Sequence, residues 1–437
     1  MLIRNVELDG RIADVRLQKG CVSEIGLGLS GEDSIDGKGG ALLAGLHDHH
    51  IHLNAMAAAM NSIRCGPPEV ATKDGFIKVL NTGRKNDVRG VGYHPSVAGE
   101  IDRAWLDTYG PNCPVRIQHR SGRLWIFNSL AMSKYGFKEP SNGRLYDGDT
   151  KLRKQSVFPE LNPLLSRLLS YGITGVTEVT PSNGVSEFQN YIENAAPLRL
   201  TVMGKAELSS LNHPQVGPLK LHYHDHDLPS LDDLATEIEA AHNVGRNIAA
   251  HCVTRAELML TLAAIEQACV LSGDRIEHAA IADEGIIDWM ARLGVIIVTQ
   301  PNFISERIAA YRRHVPEIDH QNLWRLKSFH TAGLRLAAGS DAPFGDPNPW
   351  AAMFAAVNRP KGFEGESINA EEALALYTKP AQDAGALPRR VEIGTRADVI
   401  LLDRTWKHAA ENLADVKVLK TWIDGELVFN RVNEAPV

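Results

Sequence analysis

Five short apolar runs in this chain each lead to a side chain that can bind a metal ion, and they follow one another with helix-like stretches in between. The first, residues 41–46, runs into Gly45-Leu46-His47-Asp48-His49-His50-Ile51-His52. The others end at Lys220 in Gly217-Pro218-Leu219-Lys220, at His251 in Asn247-Ile248-Ala249-Ala250-His251, at His278 in Arg275-Ile276-Glu277-His278, and at Asp341 in Leu336-Ala337-Ala338-Gly339-Ser340-Asp341. One such run carries little information. Five in order are what a closed β/α barrel demands, because that fold gathers the C-terminal ends of its strands around a single site.

The segments between the runs have helix punctuation. Ser230 is an N-cap for a helix that places Leu234, Ile238 and Ala241 on one face and stops at Gly245. Thr254-Arg255-Ala256-Glu257 is a capping box ahead of Leu258, Leu262 and Ile265. A third helix follows Asp283, with Ile286, Ile287, Met290 and Leu293 before Gly294. Strands are expected at 42–48, 173–179, 199–203, 218–223, 247–251, 275–278, 295–299 and 334–338. That set closes an α/β TIM barrel, (β/α)8, of parallel strands with right-handed crossovers. Residues about 55–165 are left as an insertion after the first strand, on a loop that would lie over the site and shape its pocket. Both chain ends read as short alternating strands, so 1–40 and 390–437 are expected to pair into one small β-sandwich flanking barrel residues 41–389.

A chain of 437 residues accommodates such a barrel, commonly about 250 residues or more, together with a smaller module. The formal net charge of -7 argues against nucleic acid or a membrane surface as partner. A small-molecule substrate is expected instead, with self-association left open. Charges arrive too early after Met1 for a signal peptide, and no apolar run approaches the roughly 18 residues of a membrane span, so a cytoplasmic enzyme is expected. The five cysteines show no CxxC spacing, which indicates neither a disulfide framework nor a thiolate zinc site. Cys252 is next to His251, but adjacent strand residues face opposite ways.

His50 and His52 are two residues apart, so at an extended strand end both imidazoles project to one face, whereas His47 and His49 face away. With Lys220, His251, His278 and Asp341 they form a nitrogen and oxygen donor set suited to zinc. Lysine is the odd member, because an ammonium cannot ligate a cation. Lys220 must lose its proton, pair with an acid, or be carbamylated by carbon dioxide into an anionic bridge between two metals. Asp48 is expected to orient the turn or a ligand imidazole.

In this order the residues resemble the amidohydrolase superfamily, metal-dependent hydrolases built on a distorted β/α barrel flanked by a β-sandwich. Arg275-Ile276-Glu277-His278, Gln300-Pro301-Asn302, Gly339-Ser340-Asp341-Ala342-Pro343, Pro347-Asn348-Pro349-Trp350 and Gly394-Thr395-Arg396-Ala397-Asp398 resemble its N-substituted formamide deformylase-like (amidohydrolase type 3) subgroup. The resemblance covers nearly the whole chain. It implies hydrolysis of a non-peptide C–N bond in a small amide, N-formyl compound, carbamate or cyclic amide by metal-activated water. It further implies His50 and His52 on the more buried metal, Lys220 as a carboxylated bridge, and His251 and His278 on the second metal. Asp341 would be both a ligand and the catalytic proton acceptor. Two zinc ions per chain follow, or one if Lys220 is not carboxylated. His119 resembles a pocket histidine of the family's insertion, and Trp125, Asn128, Gln300 and Arg359 are further candidate substrate contacts, with Tyr93 and His94 behind them.

The chain departs from the family after the lysine. Relatives continue with an acidic Asp-Gly segment, whereas this sequence runs Lys220-Leu221-His222-Tyr223-His224-Asp225-His226. If the strand stays extended, Lys220, His222 and His224 share one face and a histidine takes the lysine's place on the metal; otherwise the histidines are a solvated loop cluster. Two other readings stand beside the hydrolase. One is a mononuclear zinc deaminase, in which Lys220 is no ligand and His278 acts on the substrate. The other is a non-catalytic metal-binding scaffold, disfavoured because a decayed site has no need to retain Asp341 and every imidazole.

Overall fold

The computed structural model describes residues 1–31, 33–67, 69–82, 87–120, 124–146 and 158–431. The chain forms two compact units, one of Met1–Leu53 with Leu161–Val437 and the other of Asn54–Glu160. Among the described residues no helix is long and apolar enough to cross a membrane.

The first unit contains eight parallel strands hydrogen-bonded in chain order: Leu46–Ile51, Ile173–Glu178, Arg199–Gly204, Val216–Leu221, Ile248–Cys252, Arg275–His278, Ile296–Thr299 and Arg335–Ala338. Most of their residues are buried on both faces, as crossover helices on the outside and packed side chains on the inside require. The helix caps stand where the sequence places them. Ser230 Oγ accepts from Asp233 N at the head of Leu231–Asn243, Thr254 and Glu257 close a capping box on Arg255–Gln267, and Gly294 ends Glu284–Leu293 at φ 70°. Leu234 and Ile238, Leu258 and Leu262, and Ile286 and Met290 are the faces these helices bury.

The ring closes between the eighth strand and the first. Asp341 N donates to His50 O at 2.7 Å, and Ser340 N donates to Asp48 Oδ1 at 3.0 Å. A Cβ on Gly339 would lie 2.3 Å from His50 N and 2.4 Å from His50 Cβ, so only glycine lets the two strand ends approach.

One strand differs from expectation. The run at 42–48 is two strands, because hydrogen bonding changes partner at Gly45. Leu42–Ala44 pairs antiparallel with Val399–Leu402, and Gly45 N donates to Asp398 O at 2.8 Å. Leu46 N turns to Gly172 O at 2.9 Å and opens the barrel strand, which continues to Ile51. Leu42–Ala44 thereby joins a four-stranded sheet with Val399–Leu402, Val418–Ile423 and Glu426–Asn430. A second four-stranded sheet is built from Leu2–Leu8, Arg11–Gln18, Cys21–Gly26 and Ser34–Asp36. The two sheets share a core of Ile3, Val6, Val15, Leu17, Leu42, Val399, Leu401 and Trp422, each large side chain contributing roughly 1.5–3 kcal/mol by burial. Residues 432–437 of this expected module lie outside the described residues.

The second unit has a five-stranded sheet in the order Arg144–Tyr146, Leu124–Phe127, Val115–His119, Val88–Tyr93, Ile63–Arg64. It carries its own apolar clusters, one around Phe76, Tyr93, Leu106, Val115 and Ile117 and one around Trp125, Phe127, Met132 and Tyr135.

Candidate metal centre

The candidate ligands of the first unit meet at the C-terminal ends of the barrel strands. His50 Nε2 lies 3.4 Å and His52 Nε2 3.2 Å from Asp341 Oδ1. His50, His278 and Asp341, all buried, each offer one ligand atom within 4.8 Å of the others. His278 Nε2 is 3.0 Å from His251 Nδ1, close enough to share an ion or a proton. Strand alternation alone would turn His278 away from Glu277, yet both reach His50. His278 has φ 72° and Asp341 φ 54°. Such left-handed backbone in a non-glycine residue costs of order 1–3 kcal/mol, and here it turns both side chains into the cluster.

Three imidazoles are held from behind. His50 Nδ1 bonds Glu277 Oε2 at 2.5 Å, His52 Nδ1 bonds Thr180 Oγ1 at 2.8 Å, and His278 Nδ1 bonds Gln300 Oε1 at 2.6 Å. A carboxylate and an amide oxygen only accept, so His50 and His278 donate from Nδ1, and their Nε2 atoms point to Asp341 and to His251 respectively.

Glu277 has no role in the sequence reading. It is fully buried, accepts from Arg275 Nε at 2.5 Å, and lies 3.9 Å from Lys220 Nζ. Burial opposes its charge, but Arg275, Lys220 and His50 outweigh it and hold the carboxyl well below the usual range. A signal was available: Arg275 and Glu277 stand two apart in a parallel-barrel strand, where charged groups have no water and must find partners.

Lys220 Nζ is buried and makes no hydrogen bond among the described residues. Burial pushes its pKa down to about 8 despite the opposing pull of Glu277. Burial also opposes the charge of Asp341, but His50, His52 and His278 hold its carboxyl well below the ordinary value. His278 is pushed down to about 3, first by burial and then by His50. Asp48 Oδ1 accepts from His50 N and Ser340 N, both at 3.0 Å, and so ties the first strand to the end of the eighth. His47 and His49 are buried; His47 Nε2 bonds Thr177 Oγ1 at 2.9 Å, while neither ring nitrogen of His49 has a partner among the described residues. Cys252 is buried with its thiol pushed up to about 12 by burial, which suits no thiolate ligand.

The expected substrate contacts fare differently. Gln300 is buried and acts through His278 rather than presenting a free oxygen to a ligand. Arg359 is buried and donates to Pro301 O at 3.3 Å and Trp324 O at 3.5 Å. Asn128 is a helix cap in the second unit. Its Oδ1 accepts from Val115 N and Ala131 N, and its Nδ2 donates to Cys113 O. Trp125 is 3% exposed and packs in the core of that unit beside Arg89 and Arg116, and Tyr93 is buried with its hydroxyl on Gly99 O. His119, half-buried in the same unit, sits 6.1 Å from the His94 ring, with burial lowering its pKa. His222 is exposed, but its ring is only 4.2 Å from that of His251.

Comparison with known proteins agrees with this geometry. A family model described as "Amidohydrolase family" matches residues 33–429. N-substituted formamide deformylase of Arthrobacter pascens is 26% identical over 97% of this chain and 94% of its own length. An uncharacterized metal-dependent hydrolase of Pyrococcus furiosus has the same fold, with a TM-score of 0.76 at 21% identity over 92% of this chain and 98% of that one. N-isopropylammelide isopropylaminohydrolase of Burkholderia multivorans superposes with a TM-score of 0.60 at 16% identity over 98% of this chain and 97% of the other. With the family model matching nearly the whole chain onto a barrel whose strand ends converge on imidazoles and a carboxylate, the protein belongs to the amidohydrolase family, metal-dependent hydrolases of carbon–nitrogen bonds.

Proposed function

We propose that the chain is a zinc-dependent hydrolase that cleaves a small N-substituted amide, with N-formyl compounds first among the candidates and carbamates and cyclic amides behind them. The substrate class follows the relative named N-substituted formamide deformylase. The observation that carries the reading is Lys220, a buried amine with no hydrogen-bond partner among the described residues, beside a converging group of His50, His278 and Asp341. These donors fit two ions: His50, His52 and Asp341 would hold one, and Lys220, His251 and His278 the other.

Metal at this site supplies Lewis acidity, which polarises a carbonyl and makes a water acidic at neutral pH. The protein's own groups do the rest. With its pKa near 8, about one in ten Lys220 side chains is a neutral amine at pH 7. That amine forms an N–C bond to carbon dioxide and releases a proton, leaving an anionic carbamate. Asp341 is ionised at neutral pH, and with Oδ1 facing His50 and His52, Oδ2 is left to take a proton from the attacking water and return it to the leaving nitrogen. Glu277, Thr180 and Gln300 keep the imidazoles aimed while this happens.

One observation favours the deaminase as a second reading: among the described residues the single group of three converging ligands, His50, His278 and Asp341, suits one ion. Zinc-loaded protein assayed for metal content against N-substituted formamides and aminated heterocycles separates the two. About two ions per chain with amine and formate release supports the hydrolase. One ion with ammonia release from ring amines overturns it.

A further inference from the structure

The departure from the family after Lys220 places three more imidazoles next to the buried cluster. His226 stacks on His224 with ring centroids 5.5 Å apart, His224 is 4.8 Å from His222, and His222 is 4.2 Å from His251. The file continues inward from His251 to His278 at 4.6 Å and from His278 to His50 at 4.8 Å. His222, His224 and His226 are exposed, and among the described residues the aromatic rings they pack against are those of other histidines. The turn Asp225–Asp227, which carries His226 and directly follows His224, is pinned by Thr254 Oγ1 donating to Asp225 Oδ1 at 2.6 Å. Asp227, Asp232 and Asp233 follow within a few residues, so the local field draws cations.

We propose that His222, His224 and His226 form an outer, exchangeable site for a divalent transition-metal ion, from which the ion passes by way of His251 into the buried cluster. The proposal rests on the reading of that cluster as a metal centre. His50 and His278 are each 1% exposed and Asp341 7%, so a hydrated cation must lose its water before it arrives. Imidazoles at successive 4–6 Å steps replace that water one ligand at a time, where a bare passage would expose the ion to an apolar wall. The outer rings do not close a cage: among the described residues only His50, His278 and Asp341 bring three ligand atoms within 4.8 Å of one another. Two imidazoles at a time, with water completing the coordination, bind weakly and release readily, which handover requires.

The test uses the full chain stripped of metal and titrated with zinc chloride against a chromophoric chelator, with uptake followed by stopped flow. His224→Asn together with His226→Asn alters two exposed side chains and leaves the buried donors in place. The wild type is expected to hold one more weakly bound ion per chain than this variant. The variant is expected to fill its tight site at least about tenfold more slowly, with the same final affinity. Equal ion counts and equal uptake rates would overturn the proposal. A weak ion lost in the variant without any tight ion in either protein would leave the outer site standing and refute the buried metal centre instead.

Discussion

Glu277→Gln removes one charge from a fully buried network and keeps its shape. In the structure Oε2 accepts from His50 Nδ1 and Oε1 from Arg275 Nε, both at 2.5 Å. Glutamine has one acceptor oxygen, so one of these donors must face an amide NH2. Arg275 is 5% exposed and His50 1%, and neither can turn to water. Removing one partner of a buried ion pair costs about 3–5 kcal/mol, a figure that already contains the about 1–3 kcal/mol for an unpartnered buried donor. Metal-free protein should therefore lose about 3–5 kcal/mol in urea unfolding, seen as a lower midpoint with an unchanged slope. Zinc affinity should fall about 10–100-fold, since the carboxylate behind His50 sets its tautomer and basicity. A variant within about 0.5 kcal/mol of wild type and with unchanged zinc affinity would refute the argument. Lower stability with unchanged affinity would reduce Glu277 to a framework residue.

Asp341→Asn keeps the size of the side chain but removes the proton acceptor, so turnover should fall at least about 100-fold; more than a tenth of the wild-type rate would remove Asp341 from the chemistry. Lys220 titrates near 8 when folded and near 10.4 when unfolded, so between these values the unfolded chain binds more protons. Stability of the metal-free protein in carbon dioxide-free buffer should accordingly rise from pH 8 to about 10.4, by on the order of 3 kcal/mol, and Lys220→Met should abolish the slope. His119→Ala should raise KM or reorder preferences among amide substrates at constant zinc stoichiometry, whereas unaltered kinetics with a lower melting temperature would mark a packing role.

The barrel was legible because its signals are local and repeated. Ser230, Thr254 with Glu257, and Asp283 cap helices in the structure as their residue types dictate, and apolar runs between them become strands. Periodicity does not mark where a run changes sheets, so the division at Gly45 was hidden; it depends on whether a backbone N–H finds Asp398 or Gly172, residues far away in sequence. The same blindness extends to the surroundings of Asn128, Trp125 and Arg359. A polar or aromatic residue in a promising segment reads as a ligand contact, but its partners decide its task, and here they are backbone carbonyls and amides, a cap, and a buried core.

At the site, sequence pattern located the donors at the strand ends but not the forces that hold them there. Alternation predicts that Glu277 and His278 face opposite ways, and it is the left-handed backbone at His278 that lets one strand bring both an imidazole and a carboxylate to His50. Asp341 uses the same device immediately after Gly339 admits the backbone of His50. Local strain and buried charge each persist only where the surrounding fold overdetermines them. Their coincidence around His50 sets Glu277 behind the ring and Asp341 in front of it, so one imidazole at the end of the first strand is held between two buried carboxylates that come from the sixth and eighth strands.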